Sequence, residues 1–380
     1  MGKLPQLPEK RDCCGCSACE QACQHHGLAM CADEEGFLYP VLNATTCVGC
    51  GQCEKACPVL APYECRLPQK AFASINLRND IRMQSSSGGV FTLLAERIID
   101  QGGVVFGARF DSQWNVVHAV ARSKEDLRHF RGSKYVQSRI GDCYAEARQL
   151  LKQNVPVMFV GTPCQIAGLK HFLGRDSDQL LSVDFICHGV PSPGVWQWYV
   201  EQQARSMARR HLTDRLRYFR KPLTILSNIE FRNKTDGWKR FNMVFESDGY
   251  KHESEYFFHR DNPYMRAFLD NFDLRPSCYR CQSKQGRSHS DITIADFWNV
   301  HRVVDGFDDD RGTSLVLVNT EKGQQAYEGL ACRSQEVDFN DAIQYNPSWS
   351  TPYGENSRRD YFFQHYKTQL NDIVFETTQN

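Results

Sequence analysis

The 380-residue chain has no excess of charge of either sign, because 45 basic residues balance 45 acidic ones. A pI near 7.1 excludes the broad electropositive surface that nucleic-acid binding usually requires. The sequence also lacks an apolar run of about 18 residues, the length that a membrane span needs. Its start, MGKLPQLPEK, has no signal-peptide core, and Gln6 breaks the myristoylation pattern. We therefore expect a soluble, cytoplasmic protein with no nucleic-acid partner and no membrane span.

Cysteine, in contrast, is abundant. The chain contains 17 cysteines, and eleven of them lie within the first 65 residues. An odd count in a long chain is not typical of a secreted disulfide scaffold, so metal binding is the better interpretation. Two runs have the spacing C-x2-C-x2-C-x3-C, which is that of bacterial two-cluster ferredoxins. The runs are Cys13, Cys16, Cys19 and Cys23, and then Cys47, Cys50, Cys53 and Cys57.

In this type of run, three thiolates on a tight loop hold one iron–sulfur cube and the fourth closes the other cube. The spacing therefore predicts one cluster held by Cys13, Cys16, Cys19 and Cys57, and a second held by Cys47, Cys50, Cys53 and Cys23. Two zinc knuckles are the alternative. Three glycines between the ligands, Gly15, Gly49 and Gly51, favour 4Fe-4S cubes.

Four residues in this region depart from the simple pattern. Gln24 stands where a proline would follow the first run, and Cys14 is a spare thiol beside a ligand. Cys31 and Cys65 fit no ligand spacing, and we interpret them as small, semi-buried residues.

The ferredoxin-type module is predicted to span residues 1–62, with two short strands on either side of a turn at 33–36. A strand at 71–76 then opens an α/β part over 70–222, in which helical and strand-like stretches alternate. Helices are expected at 89–101, 142–153, 164–173 and 194–209. Buried strands are expected at 103–110, 155–161 and 181–187, with functional loops at their carboxyl ends.

After residue 222 the pattern changes to alternating polar and apolar residues, as in SNIEFRN, RFNMVFES and KHESEYFF. This alternation predicts an additional antiparallel sheet region in a part that spans 223–380. A basic stretch over 209–221 is interpreted as a solvated helix face, and docking of an acidic redox partner is the alternative.

Four further cysteines lie in loop-like contexts: Cys164, Cys187, Cys278 and Cys281. The first two follow predicted parallel strands, whose carboxyl ends meet at one edge of the sheet, and the C-x2-C pair completes a set of four thiolates. A third iron–sulfur cluster is the preferred interpretation. Structural zinc and unrelated buried cysteines are the alternatives.

A second candidate site begins with SSSGGVFT at 85–92, where glycines precede a strongly periodic apolar helix. Backbone N–H groups at such a helix start favour a phosphate, so Ser87, Gly88 and Gly89 are candidates for a nucleotide-cofactor cradle. A serine N-cap explains the same pattern. No G-x-G-x-x-G fingerprint follows a predicted strand, which disfavours a Rossmann nicotinamide site.

Two polar segments and one histidine add to the candidates. GSKYVQS at 132–138 could hold a ribityl chain, a ring carbonyl or a phosphate, or could be an ordinary polar loop. SDITIADFWNV at 290–300 predicts a half-buried strand whose polar face could line a pocket. His188, beside Cys187, is the candidate proton donor, although support of a ligand is the more common role.

Together these motifs resemble the coenzyme F(420) hydrogenase/dehydrogenase beta-subunit family, in the form fused to an N-terminal two-cluster ferredoxin domain. The resemblance also rests on GTPCQIAGL (161–169), ICHGVPSP (186–193), CYRC (278–281) and GTSLVLVNT (312–320). It implies an α/β flavin-binding domain over 70–380 that carries FAD and a 4Fe-4S cluster. One departure is that Ala295 and Asn299 replace the two glycines of the family's DITIGDFWG, which would hinder close backbone approach by a ligand.

The resemblance implies FAD close to the SSSGG, GSKYVQS and GTPC segments. Lys134 and His188 would be the catalytic residues, with Lys134 also a flavin or phosphate contact. The cofactor-binding residues would be Ser86, Ser87, Gly88, Gly89, Lys134, Tyr135, Gln137, Ser138, Thr162, Asp291, Thr293 and Asp296.

A flavin joins two-electron chemistry to one-electron clusters. We therefore expect an FAD-dependent iron–sulfur oxidoreductase with three 4Fe-4S clusters. Its partners would be ferredoxin or another redox protein and a small organic molecule such as reduced deazaflavin F(420), and homo-oligomerisation is left open. The alternatives are an electron-relay subunit whose substrate site lies on a partner chain, and a redox-inactive scaffold that binds zinc.

Overall fold

The computed structural model describes residues 3–376. The N-terminal module is built from a two-stranded antiparallel hairpin and two very short helices, and each helix begins inside a cysteine run. Its elements are α1 (Ala18–Ala22), β1 (Leu28–Ala32), β2 (Leu38–Leu42) and α2 (Gln52–Lys55). The predicted hairpin around residues 33–36 is confirmed.

The rest of the chain forms two sheets with helices packed around them. The strands are β3 (Lys70–Asn76), β4 (Val104–Phe110), β5 (Val116–Ala121), β6 (Val157–Val160), β7 (Leu180–Phe185), β8 (Leu226–Asn233), β9 (Asn242–Asp248), β10 (His252–Phe258), β11 (Ile292–Asp296), β12 (Ser314–Val318) and β13 (Cys332–Val337). The helices are α3 (Asn79–Met83), α4 (Val90–Asp100), α5 (Cys143–Lys152), α6 (Pro163–Leu173), α7 (Pro193–Ala208), α8 (Leu212–Arg217), α9 (Pro263–Leu269), α10 (Glu321–Tyr327), α11 (Phe339–Ile343) and α12 (Arg359–Phe375).

The large sheet has eight strands in the order β13-β3-β12-β11-β7-β6-β4-β5. Its centre is parallel, since β4 pairs with β6, β6 with β7, and β7 with β11 in the same direction. The outer pairings are antiparallel. The carboxyl ends of β6, β7 and β11 therefore meet at one edge, which is where ligands bind in sheets of this kind.

The fold class predicted from the sequence is confirmed. Strands β8, β9 and β10 form the expected separate antiparallel sheet. The main sheet, however, also takes β11, β12 and β13 from the part after residue 222, so both parts of the chain contribute strands to one sheet. No helix among residues 3–376 is both long enough and apolar enough to cross a bilayer.

The N-terminal hairpin packs closely against the start of α7 and the C-terminal helix α12. Gly36 has φ +85°, and a Cβ atom there would lie 2.4 Å from the backbone nitrogen of Gly194. Arg359 forms an ion pair with Glu35 at 2.5 Å, and only 6% and 15% of these side chains are exposed. Breaking one partner of such a buried pair is strongly destabilising.

Asp273 is a buried carboxyl group in the same region. It is 0% exposed, and neither side-chain oxygen has a hydrogen-bond partner. The pKa of Asp273 is raised to about 8: burial is the main cause and the charge of Glu35 acts in the same direction, while its own backbone N–H and the charge of Arg359 act against them. Asp273 is therefore protonated at neutral pH in the folded protein.

We expect that Asp273→Asn removes the loss of stability that the wild-type protein shows as the pH rises. Between about pH 4 and about pH 8 the folded protein keeps a proton that the unfolded chain has released, so wild-type stability falls as pH rises through this window. The slope is at most a little over ~1 kcal/mol per pH unit. In anaerobic thermal unfolding, the stability of Asp273→Asn relative to the wild type should be greater near pH 8 than near pH 5. Parallel pH profiles of the two proteins would contradict the assignment.

Candidate functional site

The first cysteine run forms a tight loop that turns into α1. Gly15 and Ser17 both adopt left-handed backbone, with φ of 68° and 61°. Burial and the charges of the nearby Cys13 and Cys57 thiols raise the pKa of Cys19 to about 12, and Cys57 belongs to the second run. The group brought together is Cys13, Cys16, Cys19 and Cys57.

The second group lies in a small cavity between the hairpin and α2. Its four thiols belong to Cys23, Cys47, Cys50 and Cys53. Gly49 and Gly51 have φ of 71° in the loop, and the backbone N–H of Gly27 donates to the Cys23 sulfur at 3.2 Å. Cys23, the last cysteine of the first run, thus lines one cavity with the first three cysteines of the second run.

The third group lies at the carboxyl edge of the main sheet. Thr162 caps α6 through a capping box with Gln165, which places Cys164 in the first turn, and its hydroxyl lies 3.1 Å from the Cys164 sulfur. Cys187 lies two residues after the end of β7, and Cys278 and Cys281 lie in and just after the turn at 276–280. All four cysteines line one cavity.

Burial makes these thiols hard to ionise without a cation. It raises the pKa of Cys278 to about 12, and it raises the pKa of Cys187 well above its usual value. A bound metal centre reverses this preference, since thiolates are its ligands. The four cysteines line the same cavity, and within residues 3–376 no three His, Cys, Asp or Glu side chains converge on a single ion. Four thiolates are the ligand set of a 4Fe-4S cluster.

Cys14 connects the first and third groups. It lines the same cavity as Cys164, Cys187, Cys278 and Cys281, and the neighbouring Cys16 thiol and burial raise the pKa of Cys14 well above its usual value. Helix α6 also approaches the first loop, because a Cβ atom on Gly168 would lie 2.8 Å from the Cys16 sulfur. In the sequence, Cys14 is a spare thiol beside a ligand. Its position between two thiol groups depends on how the N-terminal module packs against the rest of the molecule, which the sequence does not show.

Lys284 is a residue of this cavity that sequence reasoning missed. It is 6% exposed, and it lies three positions after Cys281 in the segment CQSK. Lysine is rarely buried, so the sequence contained no sign beyond this proximity to a candidate ligand.

The glycines of the SSSGG segment are used for packing within the protein. A Cβ atom on Gly88 would lie 2.3 Å from the Ser74 carbonyl oxygen, and the Gly88 N–H donates to the Ser314 hydroxyl at 3.0 Å. Gly89, with φ 84°, occupies the N-cap position of α4, and no side chain caps this helix. The Ser87 hydroxyl donates to the Thr313 carbonyl at 2.8 Å.

Ser86 connects this segment to GSKYVQS. Its hydroxyl accepts a hydrogen bond from the Ser133 N–H at 2.6 Å. Lys134 follows, and its ammonium donates to the carbonyls of Arg131 and Gly132 at 3.0 and 3.1 Å. Burial lowers the pKa of Lys134 to about 7. These two bonds leave one ammonium proton for a ligand.

The other predicted residues of GSKYVQS bond mainly to the protein. The Tyr135 hydroxyl accepts from Arg232 at 3.2 Å, and the Ser138 hydroxyl accepts from Gln165 at 3.0 Å. Gln137 links the two parts of the chain, since its amide donates to the Cys14 carbonyl and its oxygen accepts from Arg275.

Three polar residues in and just before β11 lie at different positions along the sheet. Asp291, the residue before the strand, accepts from the N–H and hydroxyl of Ser182 at 2.8 and 2.6 Å. The Thr293 hydroxyl donates to Asp184 at 2.6 Å. Asp296 is at the carboxyl end, near the candidate site, and pairs with Arg232 at 2.7 Å. At ~3.3 Å per residue, Asp291 lies about 16 Å from Asp296, toward the opposite edge of the sheet.

His188 lies against the aromatic rings of Tyr353 and Phe268, with ring centroids 4.0 and 4.8 Å away. Its Nε2 atom lies 2.7 Å from the Asn271 amide oxygen. Burial lowers the pKa of His188 to about 4, so the ring is neutral at pH 7 and its Nε2 proton is used by Asn271.

The backbone of Asn299 explains the glycine that the family's DITIGDFWG has at this position. Its φ of 54° is left-handed, a conformation that asparagine tolerates better than most residues. The position thus constrains the backbone whether or not a ligand approaches. Ala295 lies opposite Ser87, whose hydroxyl is 3.4 Å from the Ala295 carbonyl oxygen.

Comparison with known proteins gives three family matches. Residues 72–142 match the N-terminal model, and residues 156–342 the C-terminal model, of the coenzyme F(420) hydrogenase/dehydrogenase beta subunit. Together they cover about two thirds of the chain. Residues 40–63 match a 4Fe-4S binding domain.

No curated protein matches the chain. Among solved structures, a chain of the F(420)-reducing (NiFe) hydrogenase complex from Methanosarcina barkeri is 16% identical, with a TM-score of 0.45. The match covers 71% of this chain and 83% of the other.

Proposed function

Since the chain belongs to the coenzyme F(420) hydrogenase/dehydrogenase beta-subunit family and has a 4Fe-4S binding domain, we propose that it is an iron–sulfur flavoprotein oxidoreductase. It would pass electrons between three 4Fe-4S clusters and FAD, and then to or from an organic substrate. Reduced deazaflavin F(420), or a small molecule reduced with electrons from ferredoxin, is the substrate class that we propose.

The observation that carries this proposal is that residues beside the first thiol group line the cavity of the third. Cys14, which follows the first-cluster ligand Cys13 in the chain, lines this cavity together with Cys164. Pro58, next to Cys57, lines the cavity of the third group as well. Clusters held by these groups would therefore be neighbours, which is what electron transfer along the chain requires.

The candidate FAD region has a surplus of positive charge that suits a dinucleotide phosphate. Lys134 and Lys234 both bond only to carbonyl oxygens, and neither has a carboxylate within 4.0 Å among the described residues. Burial lowers the pKa of each to about 7. A nearby anion would offset this cost. His118 adds a buried Nδ1 atom with no partner beside β6.

FAD would supply the exchange between paired and single electrons. Lys134 is the better placed of the two predicted catalytic residues, because with a pKa near 7 its ammonium form can donate a proton and its neutral amine form can accept one at neutral pH. His188 would act as a neutral group that holds the Cys187 loop through Asn271. Asp296 would orient Arg232 at the carboxyl edge of the sheet.

The third cluster is tested by Cys281→Ser. Three cubes correspond to about twelve irons per chain, so the variant should retain about eight. Cys31→Ser, at an exposed cysteine, is the matched control and should keep the full content. Iron and acid-labile sulfide would be measured after anaerobic reconstitution. Equal iron in Cys281→Ser and the wild type would refute the third cluster.

The FAD site is tested by Lys134→Met. Loss of the ammonium should weaken FAD retention by about tenfold, the effect of roughly 1.4 kcal/mol, while iron per chain stays unchanged. Lys124→Met is the control, since Lys124 is exposed and pairs with Asp100. Flavin released on denaturation would be measured by fluorescence after gel filtration. Full flavin occupancy in Lys134→Met over a dilution series would argue against this contact.

The second candidate function is an electron-relay subunit, favoured by the beta-subunit description of both family models. An enzyme in its own right should bleach or regenerate its flavin when the purified chain meets reduced deazaflavin, a nicotinamide or ferredoxin. If none of these donors changes the flavin spectrum until a partner chain is added, the relay function is correct and the independent enzyme is excluded.

A further inference from the structure

Lys284 places a buried positive charge against the third thiol group. Its side chain is 6% exposed and lines the cavity together with Cys164, Cys187, Cys278 and Cys281. The ammonium donates to the carbonyl oxygens of Cys187 and Ser348, each at 2.6 Å. These two hydrogen bonds hold the ammonium group in place. The first is to the backbone of the candidate ligand Cys187, and the second is to the turn Pro347–Trp349.

The charge of Lys284 has no counter-ion among residues 3–376. No ion pair within 4.0 Å includes Lys284, and the one acidic residue lining the cavity, Asp12, lies 3.8 Å from Arg11 and 3.9 Å from Arg280. Taking an ammonium group out of water without an opposite charge is costly, so buried charges in proteins are normally paired. Two carbonyl dipoles satisfy two of its protons but do not neutralise it.

We infer that the counter-charge of Lys284 is the cluster held by the third thiol group, and that Lys284 raises the reduction potential of this cluster. A 4Fe-4S cube with four thiolates is an anion, and it gains one further negative charge when one electron enters. No bond or proton changes in this step. A fixed cation beside the cube favours the reduced form more than the oxidised form, because the attraction grows with the negative charge.

This inference rests on the proposed third cluster and adds a direction of electron flow to that proposal. A higher potential makes the third cluster a better acceptor of single electrons from the N-terminal module. The effect would be largest at the third cluster, because the Lys284 ammonium contacts the Cys187 loop and Lys284 lines the cavity of the third group.

Lys284→Gln tests the charge while keeping a hydrogen-bond donor. The third cluster's electron paramagnetic resonance signal is first identified as the one missing from Cys281→Ser. Its redox titration in Lys284→Gln should move to lower potential, so that at a fixed potential the ratio of reduced to oxidised cluster falls at least tenfold. For a one-electron couple this corresponds to about 59 mV.

Two controls separate charge from structure. Lys284→Arg keeps the charge and should stay close to the wild-type potential, whereas Lys239→Gln removes an exposed lysine that pairs with Asp308 and should change nothing. Iron per chain is measured in every variant. Loss of about four irons in Lys284→Gln but not in Lys284→Arg also supports the inference, because the cluster then needs the charge to assemble.

The outcomes distinguish this inference from the function on which it rests. A full iron content and an unchanged third-cluster potential in Lys284→Gln would overturn the role of Lys284 and leave the three-cluster proposal intact. A wild-type protein with only about eight irons would overturn the third cluster itself, and the inference with it, before any variant is compared.

Discussion

One buried arginine holds the cysteine-rich module to the rest of the molecule. Arg275 is 0% exposed, and its guanidinium donates to the carbonyls of Cys13 and Leu38 and to the side chain of Gln137, at 2.7 to 2.9 Å. It also lies 4.2 Å from the centre of the Tyr39 ring. Because Arg275 is three residues before Cys278, the same side chain positions the first cysteine loop relative to the third thiol group. The distance between the candidate clusters depends on this contact.

The parts of the fold that the sequence predicted are those encoded by local patterns. The x2-x2-x3 spacing predicts two ligand sets, and this assignment stays a prediction, although Cys23 does line one cavity with Cys47, Cys50 and Cys53. Periodicity located α4 and β4 to within one residue of Val90–Asp100 and Val104–Phe110. These patterns succeed because a loop, a helix or a strand is determined by residues that are close in sequence.

The parts that the sequence did not predict depend on contacts between distant segments. Nothing near β11 shows that it pairs with β7, which lies more than a hundred residues earlier. The register of that pairing decides that Asp296 reaches the site edge, whereas Asp291 bonds to Ser182 inside the sheet. Lys284 was missed for a similar reason: its burial requires both the Cys187 loop and the turn that contains Ser348.

The charge distribution unites the two candidate sites. The chain as a whole is neutral, yet Lys134, Lys234 and Lys284 are each held by carbonyl oxygens, with no carboxylate within 4.0 Å among residues 3–376. The interior of a protein normally excludes such charges or pairs them, because water solvates an ammonium group far better than carbonyl dipoles do. Two of these lysines lie by the segments predicted to hold a dinucleotide, and one lies by the third thiol group. Anionic cofactors at both places would supply the missing negative charge, so the same electrostatic requirement supports FAD and the third cluster independently of the cysteine spacing.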